Sequence, residues 1–264
     1  MNYNGKLMKM VSEIGPDVKY SLPLDNTYIN ISDYINKNIQ IEFNNEIFCI
    51  KCNNKIKKSF AQGFCFPCFQ SSPETSECIL KPELCQAQEG IARDMDWAKN
   101  HCLKDHFVYL SLTSGIKVGV TRSTQIPTRW IDQGAVSAIK FAKTPNRYLA
   151  GMIEKDINQY ISDRTYWRRM LLGEYPKLNL LDEKEKLSTK LNQQYYKYID
   201  NDNTITKIEY PQFNNIEKIK SLNIEKNPTI EGTLTGIKGQ YLFINNNTVL
   251  NIRKYTGYII NIKF

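Results

Sequence analysis

Seven cysteines fall between Cys49 and Cys102, and their spacing is the clearest chemistry in the chain. Cys49-x2-Cys52-x12-Cys65-x2-Cys68 contains two Cys-x-x-Cys pairs. Each pair makes a tight turn that aims two thiolates at one point, and two such knuckles complete a tetrahedral sulfur cage suited to Zn²⁺. Four thiolates leave no position for water, so this metal is expected to be structural. An iron–sulfur cluster is the alternative use of the same ligands. A second set follows in Cys78, Cys85, Cys102 and His106, which together would hold a second zinc. His101 stands beside them as a replacement or supporting group.

A different chemistry is suggested by Tyr109, Lys117, Arg129 and Glu154. If Thr113-Ser-Gly115 is a three-residue hairpin loop, the period-two rule puts Tyr109 and Ser111 on one sheet face with Lys117 and Gly119. Arg129 lies early on the next helix, and Glu154 flanks the apolar stripe of the one after. A phenol, a guanidinium and a carboxylate converging on one face could act on a phosphodiester. The carboxylate would hold Mg²⁺ or Mn²⁺, the guanidinium would stabilise developing charge, and the phenol would position or deprotonate water. Taken singly, each of these residues has an ordinary reading, as a strand aromatic, a helix ion pair or a solvated carboxylate. Lys51, Lys55, Lys57 and Lys58, between the first two knuckles, form either a phosphate-facing patch or a solvated loop.

The elements that must position these groups follow from pattern. Alternation in Ile39, Ile41 and Phe43 marks a half-buried strand, preceded by β-favouring runs at 19–24 and 27–31. Residues 46–106 are poor in regular pattern, so metal is expected to order them. Strands are predicted at 107–112 and 116–120. A helix opened by Pro127 is predicted over 128–138, followed by a strand at 139–142 and a helix over 147–161. A short amphipathic run over 165–172 and a polar connecting helix over 181–199 come next. Strands at 230–237, 240–244, 248–252 and 257–264 close the chain and are expected to meet the N-terminal strands in one small barrel.

Composition sets outer bounds. The chain has 264 residues, 41% hydrophobic and 23% charged, with a net charge of +8 and a mean hydropathy of −0.47. The positive excess favours an anionic partner, nucleic acid before membrane, or else serves solubility alone. No run of 18 apolar residues suggests a membrane span. The first residues lack the layout of a signal peptide, so a cytoplasmic location is the expectation.

Val108-Tyr-Leu110, Lys117-Val-Gly119, Arg129 and Glu154 resemble the ordered motifs of the GIY-YIG nuclease fold. That resemblance implies an α/β domain in which Tyr109, Arg129 and Glu154 take the tyrosine, arginine and metal-binding glutamate roles. Lys117 stands where that family has an aromatic. A longer likeness runs through Lys58–Cys68, Lys81–Cys85, Lys117–Arg122, Pro127–Ala135 and Gly236–Leu242. These segments are similar to a family of uncharacterised bacterial proteins classed as a domain of unknown function. In that family a histidine often follows the cysteine at position 85, where this chain has Gln86.

The resulting expectation is an α+β protein. It comprises an N-terminal β unit (1–45), a zinc-binding segment (46–106) of zinc-ribbon or treble-clef type, and a GIY-YIG-like α/β domain (107–182). A helical connector (183–203) and a C-terminal β unit (204–264) complete it. The expected function is zinc-stabilised nucleic-acid binding through a basic surface, DNA or RNA. A divalent-metal-dependent nuclease using Tyr109, Arg129 and Glu154 and a zinc-stabilised protein-interaction module are the alternatives.

Overall fold

The computed structural model describes residues 1–161, 165–211 and 218–264. They form a mixed α+β structure in two compact units, one of Met1–Gln70 with Glu209–Phe264 and one of Ser71–Ile208.

The first unit is built on the two ends of the chain. β1 (Asn2–Lys6) pairs antiparallel with β15 (Tyr258–Lys263), and β15 pairs with β5 (Asn38–Phe48). The sheet continues through β12 (Thr229–Lys238), β13 (Tyr241–Ile244), β14 (Thr248–Asn251) and the short parallel β11 (Lys220–Ser221). A smaller sheet holds β2 (Val11–Glu13), β3 (Lys19–Leu24) and β4 (Thr27–Asn30). The expected alternation in β5 is observed: Ile39, Ile41, Phe43 and Ile47 are buried while their neighbours are less covered. The N- and C-terminal strands do meet, in a sheet whose pairing path among the described residues runs from β1 to β11 without closing on itself.

The cysteine-rich segment does not stand alone. β6 (Lys55–Ile56) pairs with the end of β5, which draws Cys49–Cys68 into the first unit. Cys78–Cys102 belong to the second, because the short 3₁₀ turns around them pack on helices of that unit.

The second unit has a four-stranded sheet in the order β10 (Thr206–Lys207), β9 (Ser137–Thr144), β7 (His106–Leu112), β8 (Ile116–Arg122). β7 is central and all its residues are buried. The register pairs Tyr109 with Gly119 and Ser111 with Lys117, as a three-residue loop requires. α4 (Arg147–Ile157) packs across β7, β8 and β9, with Ala150, Ile153 and Ile157 in a core shared with Val108, Leu110 and Phe141. Asn146 caps α4 by accepting from the Leu149 N–H at 2.9 Å.

Several helices differ from expectation. α1 (Phe66–Ser71) and α2 (Met95–His101) arise inside the segment read as irregular. The helix opened by Pro127 stops early: α3 spans Thr128–Asp132, and Gly134, at φ +71°, turns the chain out so that β9 can begin at Ser137. α5 (Trp167–Leu172) ends at Gly173 as read. The predicted connector is α6 (Leu180–Ser188) followed by a 3₁₀ turn at Gln193–Tyr198. It is part of the core rather than a link, with Leu187, Leu191 and Tyr195 buried against the sheet. The buried Lys184 ammonium donates to the Asp200 and Asp202 carbonyls and to Asn203 Oδ1, which ties down the chain beyond α6.

Candidate functional site

Cys49, Cys52, Cys65 and Cys68 place their sulfurs within 4.8 Å of one another. The Cys49–Asn54 turn folds back so that Asn53 N–H reaches the Cys49 carbonyl and Cys49 N–H reaches the Asn54 carbonyl. Cys65 and Cys68 sit at the start of α1. Backbone N–H groups of Lys51 and Cys65 donate to the Cys49 sulfur, and that of Cys68 donates to the Cys65 sulfur. Burial raises the Cys49 thiol, but N–H groups of Cys52, Cys65 and Lys51 outweigh it and bring the thiol down to about 6. This is the environment of a thiolate ligand. A Zn–S bond of about 2.3 Å in a tetrahedron sets neighbouring sulfurs about 3.8 Å apart. Cys52 and Cys65 stand at 3.8 Å. The ligand set fits a closed zinc site.

The second set is brought together only in part. Cys78, Cys85 and Cys102 have sulfurs within 4.8 Å of one another, and His106 is not of their number. His106 opens β7, wholly buried; its Nδ1 is bonded to the Lys104 carbonyl at 2.7 Å and its Nε2 meets no partner. Burial pulls His106 down to about 4, so the ring is neutral. His101 is held elsewhere, its ring stacked on Trp97 at 3.9 Å and its Nδ1 bonded to the Trp97 carbonyl. His106 therefore does not join the three sulfurs within 4.8 Å, because the chain between Cys102 and β7 carries it into the sheet. Arg147 reaches the cysteine cluster from α4. Its guanidinium donates to the carbonyls of Cys78 at 3.4 Å and His101 at 3.3 Å, its N–H donates to the Cys102 carbonyl at 2.8 Å, and its charge helps hold the Cys102 thiol low.

Tyr109, Lys117, Arg129 and Glu154 do converge. They line one polar cavity of about 150 Å³ with Gly119, Gln133, Ile79, Leu80 and Pro82. Tyr109 is fully buried, and its hydroxyl donates to Gln133 Oε1 at 2.8 Å. Burial pushes its pKa up, against the pull of the neighbouring Arg129 guanidinium. The phenol therefore stays protonated at neutral pH and can orient a water but not deprotonate it. Gly119 is needed here for space, since a Cβ would lie 2.6 Å from the Tyr109 hydroxyl. Gln133 was missed in the sequence, although it follows Arg129 by one helical turn. Arg147 gave no signal there.

The four lysines of the first unit's loop are all exposed. Lys55 is ion-paired with Glu46, and Lys58 lies over the Phe60 ring at 5.4 Å. Among the described residues no helix is long and apolar enough to cross a membrane.

No curated protein and no solved structure matches the chain. A family model described as a protein of unknown function (DUF2797) matches residues 36–260. The chain belongs to that family.

Proposed function

We propose that the protein binds nucleic acid and that the cavity of its second unit receives and hydrolyses a phosphodiester, in the manner of a GIY-YIG-like nuclease. The observation that carries this reading is the convergence of Tyr109, Lys117, Arg129, Gln133 and Glu154 on one polar cavity. These residues come from β7, β8, α3, the turn after it and α4, and only folding unites them. The order of hairpin, helix, strand, helix, with β7 in the middle of the sheet, supports the resemblance.

The roles follow from charge. Arg129 and Lys117 attract a phosphate and stabilise the extra negative charge of the pentacoordinate transition state. Glu154 would hold a Mg²⁺ or Mn²⁺, which supplies further charge neutralisation when bound; hard cations of this kind take one or two carboxylates together with substrate oxygens. Tyr109, its own proton engaged by Gln133, offers oxygen lone pairs to a water. That water attacks phosphorus and gives up a proton to solvent, the bond to one bridging oxygen breaks, and the departing oxygen takes a proton from solvent. The exposed lysines of the first unit would add backbone contacts. The complete burial of Tyr109 and the small cavity favour a second reading, phosphate binding without cleavage.

The test is incubation of the full chain with labelled DNA and RNA, with and without Mg²⁺ or Mn²⁺. Cleavage that disappears in Glu154→Ala and falls on the order of 10²-fold in Arg129→Ala supports the nuclease. A salt-dependent mobility shift without cleavage supports the binding reading. In either case Lys57→Ala with Lys58→Ala should reduce the slope of log affinity against log salt by about 2. Absence of both cleavage and a low-salt shift refutes the proposal and leaves a zinc-stabilised interaction module.

A further inference from the structure

The two cysteine sets differ in a way that has chemical consequences. The first supplies four sulfurs and closes a tetrahedron. The second supplies three. Neither histidine lies within the cluster distance of the three sulfurs: His101 is stacked and bonded at Trp97, and His106 is buried at the start of β7 with its Nε2 unpartnered. Glu77 and Asp94 line the same cavity but do not join the ligand cluster.

The three cysteines also border a cavity. Cys78, Cys85 and Cys102 line a cavity of about 250 Å³, the other walls of which include Leu84, Gln86 and Trp97. That volume is many times what one water needs. Closed zinc sites are structural, whereas a site with three protein ligands and room at the fourth position keeps that position for water or a small donor.

We propose that Cys78, Cys85 and Cys102 hold a thiophilic divalent metal such as zinc whose fourth position is exchangeable and open to this cavity. The site would take a small monodentate donor, a thiol or an imidazole, in place of water. Three thiolates leave a divalent ion with one net negative charge, which favours neutral entering groups over anions. The Arg147 guanidinium, which acts on Cys102 from α4, offsets part of that charge. The bonds from Arg147 to the carbonyls of Cys78, His101 and Cys102 hold two of the three ligands, distant in sequence, beside each other.

Cobalt(II) replacement tests this. Thiolate-bound Co²⁺ has visible ligand-field bands and a near-ultraviolet charge-transfer band that report on each donor. The full chain should bind two equivalents of Co²⁺, and imidazole or 2-mercaptoethanol should shift the bands of one equivalent saturably. In Cys52→Ser with Cys68→Ser the closed site is removed, and the remaining equivalent should retain the whole of the probe-sensitive change. His106→Gln should leave the bands and the probe response unaltered. Binding of a single equivalent by the wild-type chain overturns the proposal. So does a second equivalent that ignores both probes, or a band shift in His106→Gln, which would make His106 the fourth ligand of the wild-type site. None of these readouts depends on nucleic-acid cleavage.

Discussion

Gly151 of α4 sets two general expectations against each other. Replacing a glycine inside a helix by alanine ordinarily stabilises by about 0.5–1 kcal/mol through backbone entropy. At this position, however, an added Cβ would lie 2.2 Å from the Glu83 nitrogen and 2.4 Å from the Pro82 carbonyl carbon. Both are backbone atoms and cannot rotate away. Relief to the roughly 3.5 Å of an ordinary contact requires the loop and helix to separate by about 1.3 Å. Overpacking of this kind costs about 1–3 kcal/mol. Set against the helix gain, Gly151→Ala should lose about 1–2 kcal/mol in urea denaturation. The loop that must move carries Cys78 and Cys85 on either side of Pro82–Leu84. Metal geometry tolerates deviations of about 0.2 Å, so the second metal should be released to a chelator more readily than the first. A Gly151→Ala protein that is as stable as wild type, or more so, and keeps both metals equally would refute the close-packing argument.

Gly119→Ala should cost about 1–3 kcal/mol, measured by thermal or urea unfolding, because the Cβ collides with the Tyr109 hydroxyl and breaks its bond to Gln133; an unaltered midpoint would mean that the phenol is not fixed there. Cys68→Ser should lower bound zinc by one per chain, measured by mass spectrometry, while leaving the Cys78, Cys85 and Cys102 site loaded; unchanged metal content would exclude the four-sulfur cage. Lys238, 4% exposed, has its pKa pushed down to about 8 by burial. Below that pH its charge opposes folding. Between about 8 and the ordinary 10.5 the folded state gives up its proton first, so stability should rise with pH by up to about 3 kcal/mol from this group. Lys238→Met should flatten that rise in denaturation curves taken from pH 7 to 10, and persistence of the full rise would place its source elsewhere.

The parts of this molecule that were legible in the sequence are those governed by short-range rules. Two Cys-x-x-Cys turns bring their sulfurs together by local geometry, and the alternation from Ile39 to Phe43 reports burial on a single face. The pairing of Tyr109 with Gly119 needed only the loop length and a period of two. What was not legible depends on distant segments. Periodicity carried the helix after Pro127 through to residue 138, because nothing local shows that Gly134 must turn out beneath Met170 to release β9. The polar run over 181–199 read as a connector since its one apolar side is narrow, yet Lys184 is buried by carbonyls that arrive from residues 200–203. His106 was read as a ligand because both histidines fall in the window of the three cysteines; in the fold it opens β7, buried and outside the cluster of three sulfurs.

The loop from Cys78 to Cys85 connects the chemistry of the second unit. Ile79, Leu80 and Pro82 form a wall of the polar cavity, while Cys78, Leu84 and Cys85 form a wall of the cavity beside the three sulfurs. The loop has few buried apolar residues of its own, and its 3₁₀ turns are too short to be stable unaided. Its position therefore depends on three supports: the cysteines at its ends, the Arg147 bond to the Cys78 carbonyl, and the glycine gap on α4. Losing the metal from the sulfurs would free one face of the loop and, through the same few residues, widen the cavity that holds Tyr109, Arg129 and Glu154. If the proposed metal and phosphate sites are both real, the second metal would act on phosphate binding as a structural prop at a distance, without contributing a charge to the reacting group.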